Sequence, residues 1–146
     1  MGKPIGKYVT IEAPKIKFSD EDSDSAAKVI AEQIRKICHI TEDTKTLVVG
    51  LGNDMITPDA LGPKVISQLM VTNHIKTYLE DVLGESYSSV CAIVPGVLGT
   101  TGIETTDIIK GVADKIKPEI VICVDALALL YKVGRRALET YNCFEE

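Results

Sequence analysis

Three apolar runs carry no polar alternation: Thr46 to Gly52 (Thr-Leu-Val-Val-Gly-Leu-Gly), Val90 to Val94 (Val-Cys-Ala-Ile-Val) and Ile120 to Val124 (Ile-Val-Ile-Cys-Val). A strand with one wet face alternates apolar and polar residues, so runs like these belong to strands covered on both faces, as in a parallel sheet flanked by helices. The intervening stretches have helical period. Leu61, Val65, Leu69 and Ile66 share one face within Asp59 to Thr72, and a second helix is expected from Glu104 to Lys115 after a loop rich in Gly and Thr. Strands alternating with helices, joined by right-handed crossovers, predict a three-layer α/β fold with a mainly parallel central sheet. A chain of 146 residues fits a single domain, residues 1–146, with a modest core.

Outside this frame the signals are local. Tyr8 to Pro14 (Tyr-Val-Thr-Ile-Glu-Ala-Pro) alternates and is β-branched, which predicts a short strand stopped by its proline. Ser19 to Asp24 reads as an exposed acidic loop whose Asp and Ser residues cap the next helix, where Ala27, Ile30, Ile34 and Ile37 line one face. That helix needs no function beyond covering the core.

The formal net charge of -5, with Lys and Arg scattered, offers no footprint for nucleic acid. The apolar runs fall well short of the roughly 20 residues that span a bilayer, and the N-terminus lacks a signal-peptide core, so a cytoplasmic protein is expected. Cys38, Cys91, Cys123 and Cys143 form no C-x-x-C pair and are expected to be reduced thiols. His39 and His74 are too few for a zinc site with these cysteines, so neither a metal nor any other cofactor is expected.

In parallel α/β sheets the ligand sits beyond the carboxyl ends of the strands. Three loops lie there: Gly50 to Asp59, Pro95 to Glu104 and Asp125 to Ala128. Asp125 directly follows a buried-type strand, where burial favours a protonated carboxyl. Asp59 opens a helix, where the dipole and free N–H groups favour an ionised one. Two carboxylates pushed in opposite directions form an acid and base pair able to hydrolyse a peptide bond. Taken one at a time, spacing favours the plain readings, Asp59 as a first-turn helix acid and Asp125 as a strand-end cap.

The turn Gly50 to Asn53 lacks the third glycine of a dinucleotide fingerprint and the Gly-Lys pair of a phosphate loop. Pro95 to Gly102 (Pro-Gly-Val-Leu-Gly-Thr-Thr-Gly) reads either as a peptide groove lined by exposed backbone N–H groups or as a plain connection. Gly52, Asn53, Gly96, Gly99, Thr100 and Thr101 are the substrate-binding candidates from these two loops. No Ser or Cys sits in an elbow motif with a His partner. His74 is expected near a helix C-terminus, where a cation is favoured.

Longer strings carry a family resemblance. Val49 to Asn53 (Val-Gly-Leu-Gly-Asn), Thr57 to Pro63 (Thr-Pro-Asp-Ala-Leu-Gly-Pro), Val71 to His74 (Val-Thr-Asn-His), Cys91 to Thr106 and Val124 to Ala128 (Val-Asp-Ala-Leu-Ala) resemble, in order and spacing, the signature blocks of the germination protease family. Tyr8 to Pro14 is similar too. The resemblance implies an atypical aspartic endopeptidase whose essential aspartates fall on Asp59 and Asp125, working without metal. It further implies a zymogen, a homotetramer and small acid-soluble spore proteins as substrates in the spore core. The fold is implied to be like that of the endopeptidases that mature nickel hydrogenases, in which acidic groups at matching places bind metal.

The resemblance is expected to cover Gly2 to Ala128, with Leu129 to Glu146 a divergent tail. Relative to the family, the propeptide and the start of the mature enzyme are expected to be missing before Gly2. A shortened form is the expectation, which opens two alternatives. One is an inactive α/β module that binds spore proteins or protease subunits. The other is a metal-dependent maturation-type peptidase, with Asp59, Asp125 and a third ligand such as His74 around one ion. Peptidyl-tRNA hydrolase also follows a strand with Gly-Leu-Gly-Asn, but the acidic charge and the Thr-Pro-Asp block speak against it.

Overall fold

A computed structural model describes residues 5–12, 20–78 and 88–126. Its centre is a parallel sheet of three strands, β1 (Thr46–Gly50), β2 (Val90–Ile93) and β3 (Ile120–Val124), in the order β2-β1-β3. Thr46 of β1 lies opposite Val90 on one side and Ile120 on the other, and the register runs to Val49 opposite Ile93 and Gly50 opposite Val124. The unalternating apolar runs thus became strands of one parallel sheet, which places this domain among α/β folds.

Burial follows the topology. All five residues of β1 are buried, and Leu47 and Val49 are fully enclosed, whereas β2 and β3 are half-buried over most of their length. A central strand with neighbours on both edges has no solvated backbone, so the β-branched and leucine side chains of β1 form the core.

Helices occupy the connections: α1 (Asp20–Cys38), α2 (Leu61–Gln68), α3 (Asn73–Tyr78), α4 (Leu98–Thr101) and α5 (Thr105–Ile116). α1 starts earlier than expected. The acidic stretch from Asp20 belongs to the helix rather than to a preceding loop, which agrees with the preference for carboxylates in a first turn. α5 matches its expected span within a residue. It ends at Lys117, which takes a left-handed φ of 53° just before Pro118 and donates its N–H to the Ala113 carbonyl at 2.7 Å. Lys45 Nζ reaches the terminal Ile116 carbonyl at 3.3 Å, a cation placed where the helix dipole is negative.

Two expectations fail here. Residues 8–12 form no strand, and Tyr8 and Val9 are exposed; alternation in one segment does not by itself make a ladder. Residues 13 and 14 lie outside the described set. The α2 face is also different from the periodic one. Leu61 and Val65 are exposed, Ile66 and Leu69 are half-buried with Ile66 packed on Gly50, and the buried positions are Gly62 and Pro63, so this helix meets the sheet through Gly62 and Ile66. Pro63 is tolerated because it stands in the first turn, where no intrahelical N–H bond is lost.

β2 has its outer flank closed by Thr72. The Thr72 N–H donates to the Val90 carbonyl at 3.0 Å, the Val90 N–H donates to Thr72 Oγ1 at 3.1 Å, and Thr72 Oγ1 donates to the Ser88 carbonyl. One buried hydroxyl therefore stands in for a ladder partner. Thr72→Val keeps the shape but leaves a donor and an acceptor without partners, and should cost about 2 kcal/mol. A urea midpoint lowered at unchanged m-value is the expected readout; an unchanged midpoint would rule out the edge-closing role.

Among the described residues Cys38, Cys91 and Cys123 form no disulfide, Cys38 being buried and the other two half-buried; Cys143 lies outside the described residues. Burial pushes the Cys91 thiol above its ordinary range, with the Lys45 ammonium acting weakly against it. Among the described residues no helix is long and apolar enough to cross a membrane.

Candidate functional site

The strand order fixes where a site can form. From β1 the chain crosses to β2 on one side, and β3 then returns to the other side of β1. Where successive connections leave neighbouring strands in opposite directions, a crevice opens beyond their carboxyl ends. In this sheet that place is between β1 and β3. Asp59 lies in the loop that leaves β1, and Asp125 is the first residue beyond β3.

Backbone contacts draw the two loops together. The Leu51 N–H donates to the Val124 carbonyl at 2.8 Å, extending the β1–β3 pairing up to the residue before Asp125. Gly62, three residues after Asp59, packs against both partners of that bond. A β-carbon there would lie 2.2 Å from the Leu51 carbonyl oxygen and 2.6 Å from the Val124 carbonyl oxygen. Gly50 is equally confined, since its β-carbon would stand 2.5 Å from the Gly62 carbonyl oxygen. Glycine at both positions lets the start of α2 rest directly on the two strand ends, which holds Asp59 at the crevice.

The loop then closes around Asp59. Thr57–Asp59 forms a 3-10 turn leading into α2, with the Asp59 N–H donating to the Ile56 carbonyl at 2.8 Å. Gly52 has φ 108°, a conformation that favours glycine, and any β-carbon would sit 2.1 Å from the Asp59 carbonyl oxygen. The Asn53 N–H donates to both the Asp59 carbonyl, at 3.1 Å, and Asp59 Oδ2, at 2.9 Å. Asn53 Oδ1 in turn accepts the Met55 N–H at 3.0 Å. Asp59 is half-buried, its carboxylate oriented by a charge-assisted bond from the backbone.

Asp125 differs from its expectation. Its residue is exposed rather than buried, because only the strand before it is covered; Val124 is buried and the chain turns outward one residue later. Its Oδ1 accepts the Ala126 N–H at 2.8 Å. The burial that was to separate the two carboxylates is therefore absent, and Asp125 faces water.

The loop after β2 stands on the far side of β1 from β3. Gly96 has φ 76°, and its carbonyl accepts the Thr105 hydroxyl at 3.2 Å. The N–H groups of Thr100 and Thr101 donate to the Val97 carbonyl and that of Gly102 to the Leu98 carbonyl, closing α4. Those three donors are spent within the turn and do not line a groove. Gly99, Thr100 and Thr101 are exposed, and among the described residues the hydrogen bonds of this loop reach neither Asp59 nor Asp125. The structure thus brings Gly52 and Asn53 onto Asp59, sets Asp125 at the neighbouring strand end, and leaves Gly96 to Thr101 apart.

His74 sits in the first turn of α3, exposed, and not at a helix C-terminus as expected; the short helix after Thr72 is invisible to apolar periodicity. Among the described residues no three His, Cys, Asp or Glu side chains gather as metal ligands. Gly62 was not singled out from sequence, although a glycine inside a helical pattern is a signal of close packing.

The germination protease family profile matches residues 1–140. The chain belongs to the germination protease family. The match runs past Ala128, where the resemblance was expected to stop. A germination protease of Clostridium perfringens is 50% identical over 129 residues, covering 88% of this chain and 40% of the relative. One from Caldanaerobacter subterraneus subsp. tengcongensis is 52% identical over 129 residues with the same coverage, and one from Oceanobacillus iheyensis is 45% identical over 132 residues, covering 36% of the relative. The chain thus spans about 40% of the length of the Clostridium and Caldanaerobacter germination proteases.

Proposed function

We propose that this chain carries the catalytic carboxylates of a germination protease, Asp59 and Asp125, and that the protein hydrolyses peptide bonds in small acid-soluble spore proteins during germination. The observation that supports this reading is the pair's place at the β1–β3 switch point, together with membership of a family whose curated members bear the name germination protease.

The chemistry follows from two carboxyls sharing one site and one proton. One carboxylate takes a proton from a water molecule as the water oxygen bonds to the scissile carbonyl carbon, and the other carboxyl gives its proton to the carbonyl oxygen. The resulting gem-diol collapses as the C–N bond breaks; the nitrogen takes a proton, leaving an amine and a carboxylic acid. Asp59 is held by the Asn53 N–H and Asp125 is open to solvent, so substrate and water have access from the Asp125 side. The division of roles belongs to the pair. Gly52 and Asn53 adjoin the reacting centre, and Gly96, Gly99, Thr100 and Thr101 would contact substrate farther along the strand ends.

A fold like that of the hydrogenase-maturation endopeptidases, assembly as a homotetramer, zymogen processing and residence in the spore core complete the proposal by family analogy. The metal-dependent alternative gains nothing from His74, which stands on α3 and forms no three-ligand group with the aspartates among the described residues.

The test is incubation of the purified chain with a small acid-soluble spore protein, followed by mass spectrometry of the products, with and without chelator. Discrete internal cleavage that chelator does not alter is the expected result. Binding without cleavage would replace this reading with the inactive module, and loss on chelation would replace it with the metal peptidase.

A further inference from the structure

The hydrogen bonding of Asn53 leaves one group unspent. Its backbone N–H is committed to Asp59, and its Oδ1 accepts the Met55 N–H at 3.0 Å. Only the amide oxygen can accept that bond, so the side-chain orientation is fixed and the NH2 group is the end left over. Nδ2 has no protein partner among the described residues and is open to solvent, so a ligand can reach it. A side-chain amide oriented by its own turn, with two idle donors, stands in the same residue whose backbone holds the Asp59 carboxylate.

We infer that Asn53 Nδ2 is the donor that polarises the scissile carbonyl, hydrogen-bonding its oxygen as that oxygen gains electron density under attack by water. The inference rests on the peptidase reading of Asp59 and Asp125. The arrangement gives it a physical rationale. A preorganised donor costs no reorganisation during the reaction, and the Met55 N–H supplies that preorganisation here. The Asn53 backbone N–H, bonded to Asp59 Oδ2 at 2.9 Å, ties the donor to that carboxylate through a single residue, so substrate carbonyl and catalytic carboxylate are set by one turn. Asn53 also forms the link between the Gly52 backbone, which only glycine fits, and the 3-10 turn through Ile56.

Two variants separate this role from a structural one. Asn53→Ser retains a side-chain oxygen for the Met55 N–H and stays neutral but lacks the amide donor. Asn53→Asp retains the size and the acceptor, lacks the donor and adds a charge. Both should lower kcat about 100-fold with KM changed little and melting temperature held. Asn53→Ser should lower the plateau of the pH–rate profile without moving its limbs, whereas Asn53→Asp should move the acid limb as well. A kcat within about three-fold of the parent in Asn53→Ser overturns the inference while leaving the aspartate reading intact. A kcat loss that tracks a lowered melting temperature also overturns it, by assigning Asn53 to loop folding. A parent chain whose cleavage does not depend on Asp59 and Asp125 removes the peptidase reading and this inference together.

Discussion

Asp59→Asn and Asp125→Asn should each lower kcat/KM for spore-protein cleavage by about 1000-fold, and the double variant should lose little more than either alone. The amide is close in size to the carboxylate. In Asp59→Asn the side-chain oxygen can still accept the Asn53 N–H, so the loop that depends on the 2.9 Å bond should keep its shape. In Asp125→Asn the Ala126 N–H likewise keeps an acceptor. What each variant loses is the ability to exchange a proton at that atom. In the proposed mechanism both carboxyls serve one proton cycle, so removing either breaks that cycle and the losses overlap instead of adding. Melting temperatures close to the parent's would show that chemistry alone was lost. If Asp125→Asn cleaves as fast as the parent while Asp59→Asn does not, a single-carboxylate mechanism replaces the paired one.

The sheet was legible because its signal is collective. Leu47, Val48 and Val49 sit in a run with no polar interruption, and only a strand buried on both faces has use for that pattern. That Asp59 and Asp125 stand in the segments leaving β1 and β3 was legible for a related reason, since both follow buried-type strands in the sequence and strand ends in parallel sheets converge; their catalytic role is the proposal. What failed was anything that depends on a single contact. The α2 periodicity pointed to Leu61, Val65, Leu69 and Ile66, of which Ile66 packs on Gly50, yet Gly62 makes the backbone contact, because closeness of backbone to backbone is set by a missing side chain that hydropathy does not register. Residues 8–12 alternate like a strand but are assigned to none, and strand formation is a property of two segments rather than of one pattern. Asp125 was expected to be buried from its neighbours in sequence, whereas exposure changes within one residue at the end of β3.

The glycines also explain how so small a sheet orients a site. Gly50, Gly52 and Gly62 each face a backbone carbonyl oxygen at a distance no β-carbon could occupy, and together they run from the end of β1, around Asp59, to the end of β3. The position of the carboxylates is thus set by main-chain contacts, which have fewer alternative arrangements than side-chain packing. Fold stability and site geometry are tied to the same atoms, so a substitution in this line should damage both together.

Gly62→Ala is where that coupling should be largest. Its β-carbon would meet Leu51 O at 2.2 Å, Leu51 N at 2.5 Å and Val124 O at 2.6 Å, and all three are backbone atoms that cannot rotate aside. Relief requires α2 to lift from the sheet or the Leu51 to Val124 hydrogen bond to break, and either movement displaces Asp59 relative to Asp125. Alanine favours the helical state by only about 1 kcal/mol over glycine, far too little to offset the clash. The expected cost is on the order of 4 kcal/mol, a large part of the net stability of a small domain. Gly111→Ala is the matched control. Gly111 lies inside α5, and beyond its chain neighbours and its own helix backbone no described residue comes within 4 Å of its would-be β-carbon, so the same chemical change should stabilise by roughly 0.5 to 1 kcal/mol. Urea unfolding of the two variants beside the parent should therefore shift the midpoint in opposite directions. Equal, small shifts would mean that α2 rests on the strand ends loosely enough to accommodate a methyl group, and the tie between fold and site would have to lie elsewhere.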